Sequence, residues 1–330
     1  MKAKISIIAG FIIGAGLLFM AFRKVDFASL MQAYSSVNAW YIIPAVITAV
    51  VELLLRGARW RLLLNPSAPV RLWDAFRLQA VGLGLNNILP MRLGEVARGT
   101  FGAKLLGIPM ITVFATILVE RAVDLIVMFF LFAVAVRLGG IGGGLMNYGG
   151  WLWGMCAGLG GAMAVLVFAD ELVSHRWLSG LFVRFPLFRN VLEKLAMGVK
   201  GFHSFRSGVL IVLFAALQWG MSALNYFWLG LAFGIGGVMD AFKCMVLAFT
   251  GALAASVPGM PGYFGAIEFA IQKVAFTWGI PENTGLAYAS YVHVIAFAVT
   301  TVLGVFFVYQ MGYSLGKVWG GLSSGGGEKK

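Results

Sequence analysis

The sequence predicts an all-α polytopic membrane protein: six transmembrane helices plus two oppositely oriented re-entrant helical hairpins in an inverted repeat, with N- and C-termini cytoplasmic. Three observations predict it. Of the 330 residues, 60% are hydrophobic and 12% charged, and the mean hydropathy is +0.90, more apolar surface than a soluble domain carries. Apolar stretches of 17 to 29 residues recur along the chain, the length that about 30 Å of hydrocarbon requires. Two further apolar regions, one in each half, are split by proline, glycine and polar residues.

The elements follow in order. The first span, Ile5 to Phe22, follows Lys2 and Lys4 as a signal peptide would. It runs into Arg23, Lys24 and Val25 rather than a small-residue cleavage site, which predicts a retained helix. Ala39 to Leu55 is the second span, and residues 78–106 form the first broken hairpin. Met110 to Val136 and Gly149 to Ala169 are the third and fourth spans. A loop over 170–206 alternates Trp177, Leu178, Phe182, Phe188 and Leu192 with Arg184, Arg189, Lys194 and Lys200, the pattern of an interfacial amphipathic helix. Ser207 to Gly234, a second broken hairpin over 241–279 and Gly285 to Tyr313 complete the set, ahead of a flexible tail over 321–330. The whole chain, 1–330, reads as a single membrane domain with halves at 1–140 and 141–320.

Orientation follows from Lys and Arg, which stay on the cytoplasmic side of short loops. With the N-terminus inside, 19 of the 25 basic residues fall at cytoplasmic ends or loops. Six spans with both termini inside require each broken region to enter and leave on one side, the first from the cytoplasm and the second from outside. Counterparts in the halves keep a nearly constant register. Ala39 and Ser207 are 168 residues apart, Glu95 and Glu268 173, and Met110 and Gly285 175. Inverted repeats with matched, Pro/Gly-interrupted segments point to an alternating-access transporter whose substrate site lies between the broken helices.

The residues at the breaks carry the chemistry. The first break presents Asn86, Asn87, Pro90, Arg92, Gly94, Glu95 and Arg98. The second presents Pro258, Gly259, Pro261, Gly262, Gly265 and Glu268. Irregular backbone at membrane depth is tolerated only against protein or water. A helix starting after a Pro/Gly turn also offers free N–H donors suited to an anionic group such as phosphate. In the third span, Glu120, Arg121 and Asp124 share one helix face. They serve either as a structural ion pair or as part of a proton-coupled or headgroup-linked site, since ionisable groups inside a membrane usually mark pathways. Arg56, Arg59, Trp60 and Arg61 form a basic aromatic cluster at the cytoplasmic end of the second span. It anchors that helix, and its further role would be gathering anionic headgroups. Cys156, Cys244, His175, His203 and His293 are too scattered for a metal centre, so no metal, cofactor or nucleic acid is expected.

Four ordered motifs then stand out: Arg56-x-x-Arg-Trp-Arg-Leu-Leu-Leu, Asn87-Ile-Leu-Pro-Met-Arg-Leu-Gly-Glu-Val-Ala-Arg, Glu120-Arg-x-x-Asp, and Pro258-Gly-x-Pro-Gly-x-x-Gly-x-x-Glu. With these the chain resembles the lysylphosphatidylglycerol synthase transmembrane-region family, also called flippase-like domain proteins, over nearly its whole length. The resemblance implies a lipid-translocating membrane domain whose site is lined by Asn87, Pro90, Gly94, Glu95, Arg98, Glu120, Arg121, Asp124, Gly265 and Glu268. Bifunctional members carry a soluble aminoacyl-transferase domain after the membrane part. Here the sequence runs out in Gly325 to Lys330, so the synthase activity is not expected.

The expectation is a flippase in the plasma (inner) membrane of a prokaryote. It would move an anionic phospholipid or polyprenyl-phosphate-type lipid between leaflets, with a coupling proton. The alternatives are an intramembrane enzyme that modifies a lipid headgroup, and a non-transporting accessory subunit of an envelope-synthesis enzyme. The first needs a nucleophile or metal, which the sequence does not offer.

Overall fold

A computed structural model describes residues 2–23, 25–89, 92–141, 198–257 and 261–316, with a few residues between 154 and 161. Most of the expected fourth span, Gly149–Ala169, most of the amphipathic loop 170–206, and the tail 321–330 lie outside the described residues, as do Pro90, Pro258 and Gly259.

Among the described residues the chain is helical, with no strand. The helices are α1 (Lys2–Phe22), α2 (Phe27–Ser35), α3 (Ile42–Leu64), α4 (Leu72–Ile88), α5 (Leu93–Leu106), α6 (Met110–Leu138), α7 (Phe205–Ala232), α8 (Ala241–Ser256), α9 (Ala266–Phe276) and α10 (Glu282–Gln310). Among the described residues, three stretches are long and apolar enough to cross a bilayer by length and composition: Ala39–Leu64, Phe205–Ala232 and Glu282–Gln310. α6 matches α10 at 29 residues but carries Glu120, Arg121 and Asp124 near its middle.

Both interrupted regions break where the sequence placed the breaks, between α4 and α5 and between α8 and α9. The second expected span differs. It does not stop at Leu55 but continues as α3 through Arg56, Arg59, Trp60 and Arg61 to Leu64. No proline separates Leu55 from Asn65, and these arginines find acidic and carbonyl partners instead of water. α2 has no counterpart among the expected spans. It is nine residues long, started by Asp26, whose carboxylate accepts the Ser29 backbone N–H at 2.8 Å and the Ser29 hydroxyl at 2.7 Å.

The distribution of polarity is the reverse of a soluble protein's. Phe205 is 88% exposed, Trp40 78% and Phe19 70%, whereas Arg59 and Glu120 are 0%, Arg98 1% and Glu268 2% exposed. Apolar side chains cover the outside and charges fill the inside, as hydrocarbon demands. The chain is an integral membrane protein.

It separates into two compact units. The first comprises Met1–Glu52, Ala80–Ala97 and Trp219–Lys330, and the second Leu53–Gln79 and Arg98–Gln218. In the first unit α9 packs against α8, α1 and α10, and α10 also packs on α2. Buried polar groups there find backbone partners. Tyr288 donates its hydroxyl to the Tyr226 carbonyl at 2.8 Å, and Asn225 donates to the Ala45 carbonyl at 2.9 Å. Where α4 meets α10, Gly84 and Gly304 bring the backbones together: a Cβ on Gly84 would lie 2.7 Å from the Thr300 carbonyl oxygen. In the second unit Trp60 is fully buried, its indole N–H donating to the Thr116 hydroxyl at 3.1 Å.

Candidate functional site

The sequence-predicted residues fall into two groups, one in each unit.

In the second unit, two carboxylates on α6 collect arginines from three helices. Arg59 of α3 donates to Asp124 through Nη1 at 2.5 Å and Nη2 at 3.0 Å, and through Nη2 to Glu120 Oε1 at 3.2 Å. Arg98 of α5 pairs with Glu120 Oε2 at 3.1 Å, donates to the Gln79 side-chain oxygen, and lies 4.6 Å over the Trp60 ring. Gln79 in turn donates to Glu120 Oε1 at 2.9 Å. Arg121 reaches Glu120 at 3.8 Å and Asp124 at 3.5 Å, and Arg56 stands 4.0 Å from Asp124. The Glu120, Arg121 and Asp124 trio thus converges, and Arg56, Arg59 and Arg98 converge with it. Planar guanidinium forks suit such dense carboxylate pairing.

This placement changes the reading of the basic aromatic cluster. Arg59 and Trp60 are fully buried, so they hold helices together rather than face headgroups. Arg61 donates its Nε–H to the Val70 carbonyl at 2.9 Å. Within the cluster the Arg121 side chain is the most open, at 32% exposure.

In the first unit the two helix breaks meet. Arg92, at the start of α5, donates Nη2–H to the Ala255 carbonyl at 2.8 Å, in the last turn of α8. Its guanidinium also lies 5.7 Å from the centre of the Tyr263 ring, in the short Pro261–Tyr263 turn before α9. Arg92 and Tyr263 have φ of 55° and 63°, the only positive values at non-glycine positions among the described residues. One strained residue in each break, touching the other, marks a held junction. Arg92 is exposed, and its partners are a carbonyl and a ring, so neither neutralises its charge.

The remaining predicted residues surround that junction. Asn87 donates to the hydroxyls of Thr300 and Thr301, each at 2.9 Å, fixing the end of α4 to α10. Asn86 is buried, its side-chain oxygen without a hydrogen-bond partner. Gly94 is pressed against the last turns of α4, where a Cβ would overlap the Gly82 carbonyl. Glu95 lies half-buried in the first turn of α5.

Pro261 and Gly262 form the turn before Gly265. Gly265 has φ of 89°, and a Cβ there would overlap the Gly14 carbonyl of α1. Glu268 reaches back to the start of its helix: its Oε2 accepts the Gly265 N–H at 2.7 Å, while Oε1 lies 2.6 Å from Nδ1 of His293 on α10.

Sequence reasoning did not find Tyr263, Thr300, Thr301, His293, Gln79 or Thr116. The unbroken helical pattern past Leu55 was a signal for Arg59, but no local pattern marked the others. No group of three or more His, Cys, Asp or Glu side chains suited to a metal ion occurs among the described residues.

A helical membrane protein with an arginine-packed acidic centre and two facing helix breaks is a recognisable class. The family model of the lysylphosphatidylglycerol synthase TM region matches residues 7–304, and the chain belongs to that family. A curated relative, the UPF0104 membrane protein of Methanothermobacter thermautotrophicus, is 28% identical over 295 residues, covering 81% of this chain and 83% of its own length. No solved structure matches.

Proposed function

We propose that the protein is a transporter that moves an anionic, phosphate-bearing lipid or lipid-linked intermediate between leaflets by alternating access. It works in the cytoplasmic membrane of a prokaryote, as a carrier and not a catalyst. In this reading the chain has six spans and two re-entrant hairpins, α4–α5 and α8–α9, inserted from opposite sides in an inverted repeat. The family's tie to a lipid, and a relative from an archaeon, agree with it.

One observation carries the proposal: the Arg92 junction. An exposed guanidinium with no carboxylate partner among the described residues bridges the two breaks through a carbonyl and an aromatic ring, both neutral and both replaceable. A phosphate offers Arg92 a bidentate, charge-assisted partner in place of the single carbonyl. Headgroup binding would therefore release the α8 end and Tyr263, opening the junction as the lipid enters. The strain at φ 55° and 63° favours that release. The Glu120 and Asp124 cluster, saturated with arginines, would act as the fixed scaffold.

The test is full-length protein reconstituted in phosphatidylcholine vesicles with a fluorescent phosphatidylglycerol tracer, read by quencher access to the inner leaflet. Wild-type protein equilibrates the tracer, and Arg92→Gln slows it at least tenfold while unfolding at the wild-type temperature. Equal rates for Arg92→Gln and wild type would overturn the assignment.

A further inference from the structure

We propose that Glu268 and His293 form a proton-binding pair that latches the second helix break. The pair is nearly buried, with side-chain exposures of 2% and 6%, and its two groups lie 2.6 Å apart. The acid has two tasks at once: Oε1 meets the imidazole, and Oε2 caps the first turn of α9 through the Gly265 N–H. The Phe264 ring lies tilted by 38° against the His293 ring, with centres 4.6 Å apart, and Phe297 lies edge-on to it at 6.4 Å.

Among the described residues, the charged and titratable groups on the neighbouring helices are few. Lys273, further along α9, is bound to Glu282 at 2.7 Å. Across the first unit, Tyr226 of α7 lies within electrostatic range of Glu52 of α3, Cys244 of α8 and Glu268. Tyr288 of α10 is committed to the Tyr226 carbonyl. The stretch of α1 against Gly265, Gly14 to Leu18, has no titratable side chain. With the imidazole neutral, the pair carries one negative charge inside an apolar bundle; one added proton removes it.

The step balances as follows. In the resting pair Nδ1–H donates to the Glu268 carboxylate. A proton from water bonds to Nε2, the Nδ1 proton passes to Oε1, and the ring is left neutral with its tautomer exchanged. Glu268 is then a neutral acid. An ionised acceptor is roughly twice as strong as a neutral one, and a carboxylate also stabilises a helix N-terminus that a neutral acid does not. The cap on Gly265 therefore weakens. Gly265 follows directly on Tyr263 and Phe264, so loosening it loosens the ring that holds Arg92. Proton binding at mid-helix on α10 thus reaches the junction between the breaks.

The consequence for transport rests on the transporter reading; proton binding does not. The experiment uses full-length protein in lipid nanodiscs. Histidine is isotopically labelled, which gives three side chains to follow, with the His293 signal identified by its loss in His293→Gln. Hydrogen exchange over 261–276 is measured in parallel and divided by the intrinsic rate at each pH.

As the pH is lowered, the wild-type His293 signal is expected to change when the pair takes up its proton. Protection of the first turn of α9 should fall roughly tenfold with the same midpoint, the loss of one charge-assisted hydrogen bond. Glu268→Gln should leave that turn poorly protected at every pH. A flat His293 signal, or protection that does not follow it, overturns the latch, and wild-type protein alone decides this. Failure of the tracer to move in any variant overturns the transporter reading and leaves the exchange result standing.

Discussion

Glu120 and Glu268 are both buried glutamates in one membrane protein, yet their surroundings have little in common. Glu120 sits with Asp124 amid Arg59, Arg98, Arg121 and Arg56, and with the Gln79 amide. Glu268 has one imidazole and one backbone N–H. Arginine keeps its charge at every accessible pH, whereas histidine changes its own near neutrality. The first centre is therefore built to hold a fixed charge pattern, and the second is where we propose that a proton is exchanged. Removing a partner should cost stability at the first and change a response at the second.

The largest expected effect lies in the arginine-packed centre. Arg59→Met takes from Asp124 its closest cation and from Glu120 one of its two nearest, and loss of one partner from a buried pair costs roughly 3–5 kcal/mol. Denaturant unfolding of the purified protein checks it, and the loss should be the same at about pH 6 and pH 8, where arginine does not titrate. A cost below about 1 kcal/mol, the range of exposed pairs, would erase the contrast between the centres. Asp124→Asn in the Arg59→Met background should then add less than it does alone, because both changes remove one interaction.

That centre also shows how far the sequence could be read. The two breaks and the Glu120, Arg121 and Asp124 trio were legible because each is a local departure from an apolar pattern. The convergence of Arg59 on them was not: its partners are 61 and 65 positions away, and an arginine at a helix end looks like an interfacial anchor until the fold supplies an acid. His293 was invisible for the same reason, being 25 positions from Glu268 in an otherwise apolar helix. Nothing in the residue types of Arg92 and Tyr263 signals a left-handed backbone, since glycine usually takes that role. The break itself was readable, but the residue bearing its strain was not.

In the first unit stability should respond to backbone shape more than to charge. Gly265→Ala places a Cβ at φ 89° and against the Gly14 carbonyl. Backbone strain of this kind costs about 1–3 kcal/mol, and it falls on the capped turn that Glu268 holds. The same unfolding measurement reads the loss, and exchange should localise it to residues 261–276. A loss spread across the second unit would break the separation drawn between the centres. Smaller still is Asn87→Ala, which removes the bonds to Thr300 and Thr301. Side-chain hydrogen bonds between membrane helices contribute about 0.6 kcal/mol each, so roughly 1 kcal/mol is expected. A loss above about 3 kcal/mol, the cost of breaking a buried ion pair, would show Asn87 to be as essential as Arg59.

Asp26 supplies the lowest rung of the same scale, a carboxylate held by neutral donors in water. The Ser29 hydroxyl and then the Ser29 backbone N–H hold it below the usual carboxylate range. A depressed folded value means that the cap contributes above the unfolded value of about 3.9, and that this contribution is lost as pH falls through the lower folded value. Near neutral pH the cap is therefore fully present, and it disappears only in acid. Hydrogen exchange at the first turn of α2, corrected for intrinsic rates, should show protection falling at the acid end in wild type. Asp26→Asn keeps a capping side chain without a charge and should flatten that response while retaining much of the protection, whereas Asp26→Ala should lose protection at every pH. The Arg59 centre should be indifferent to both substitutions, since its arginines keep their charge whatever this exposed carboxylate does.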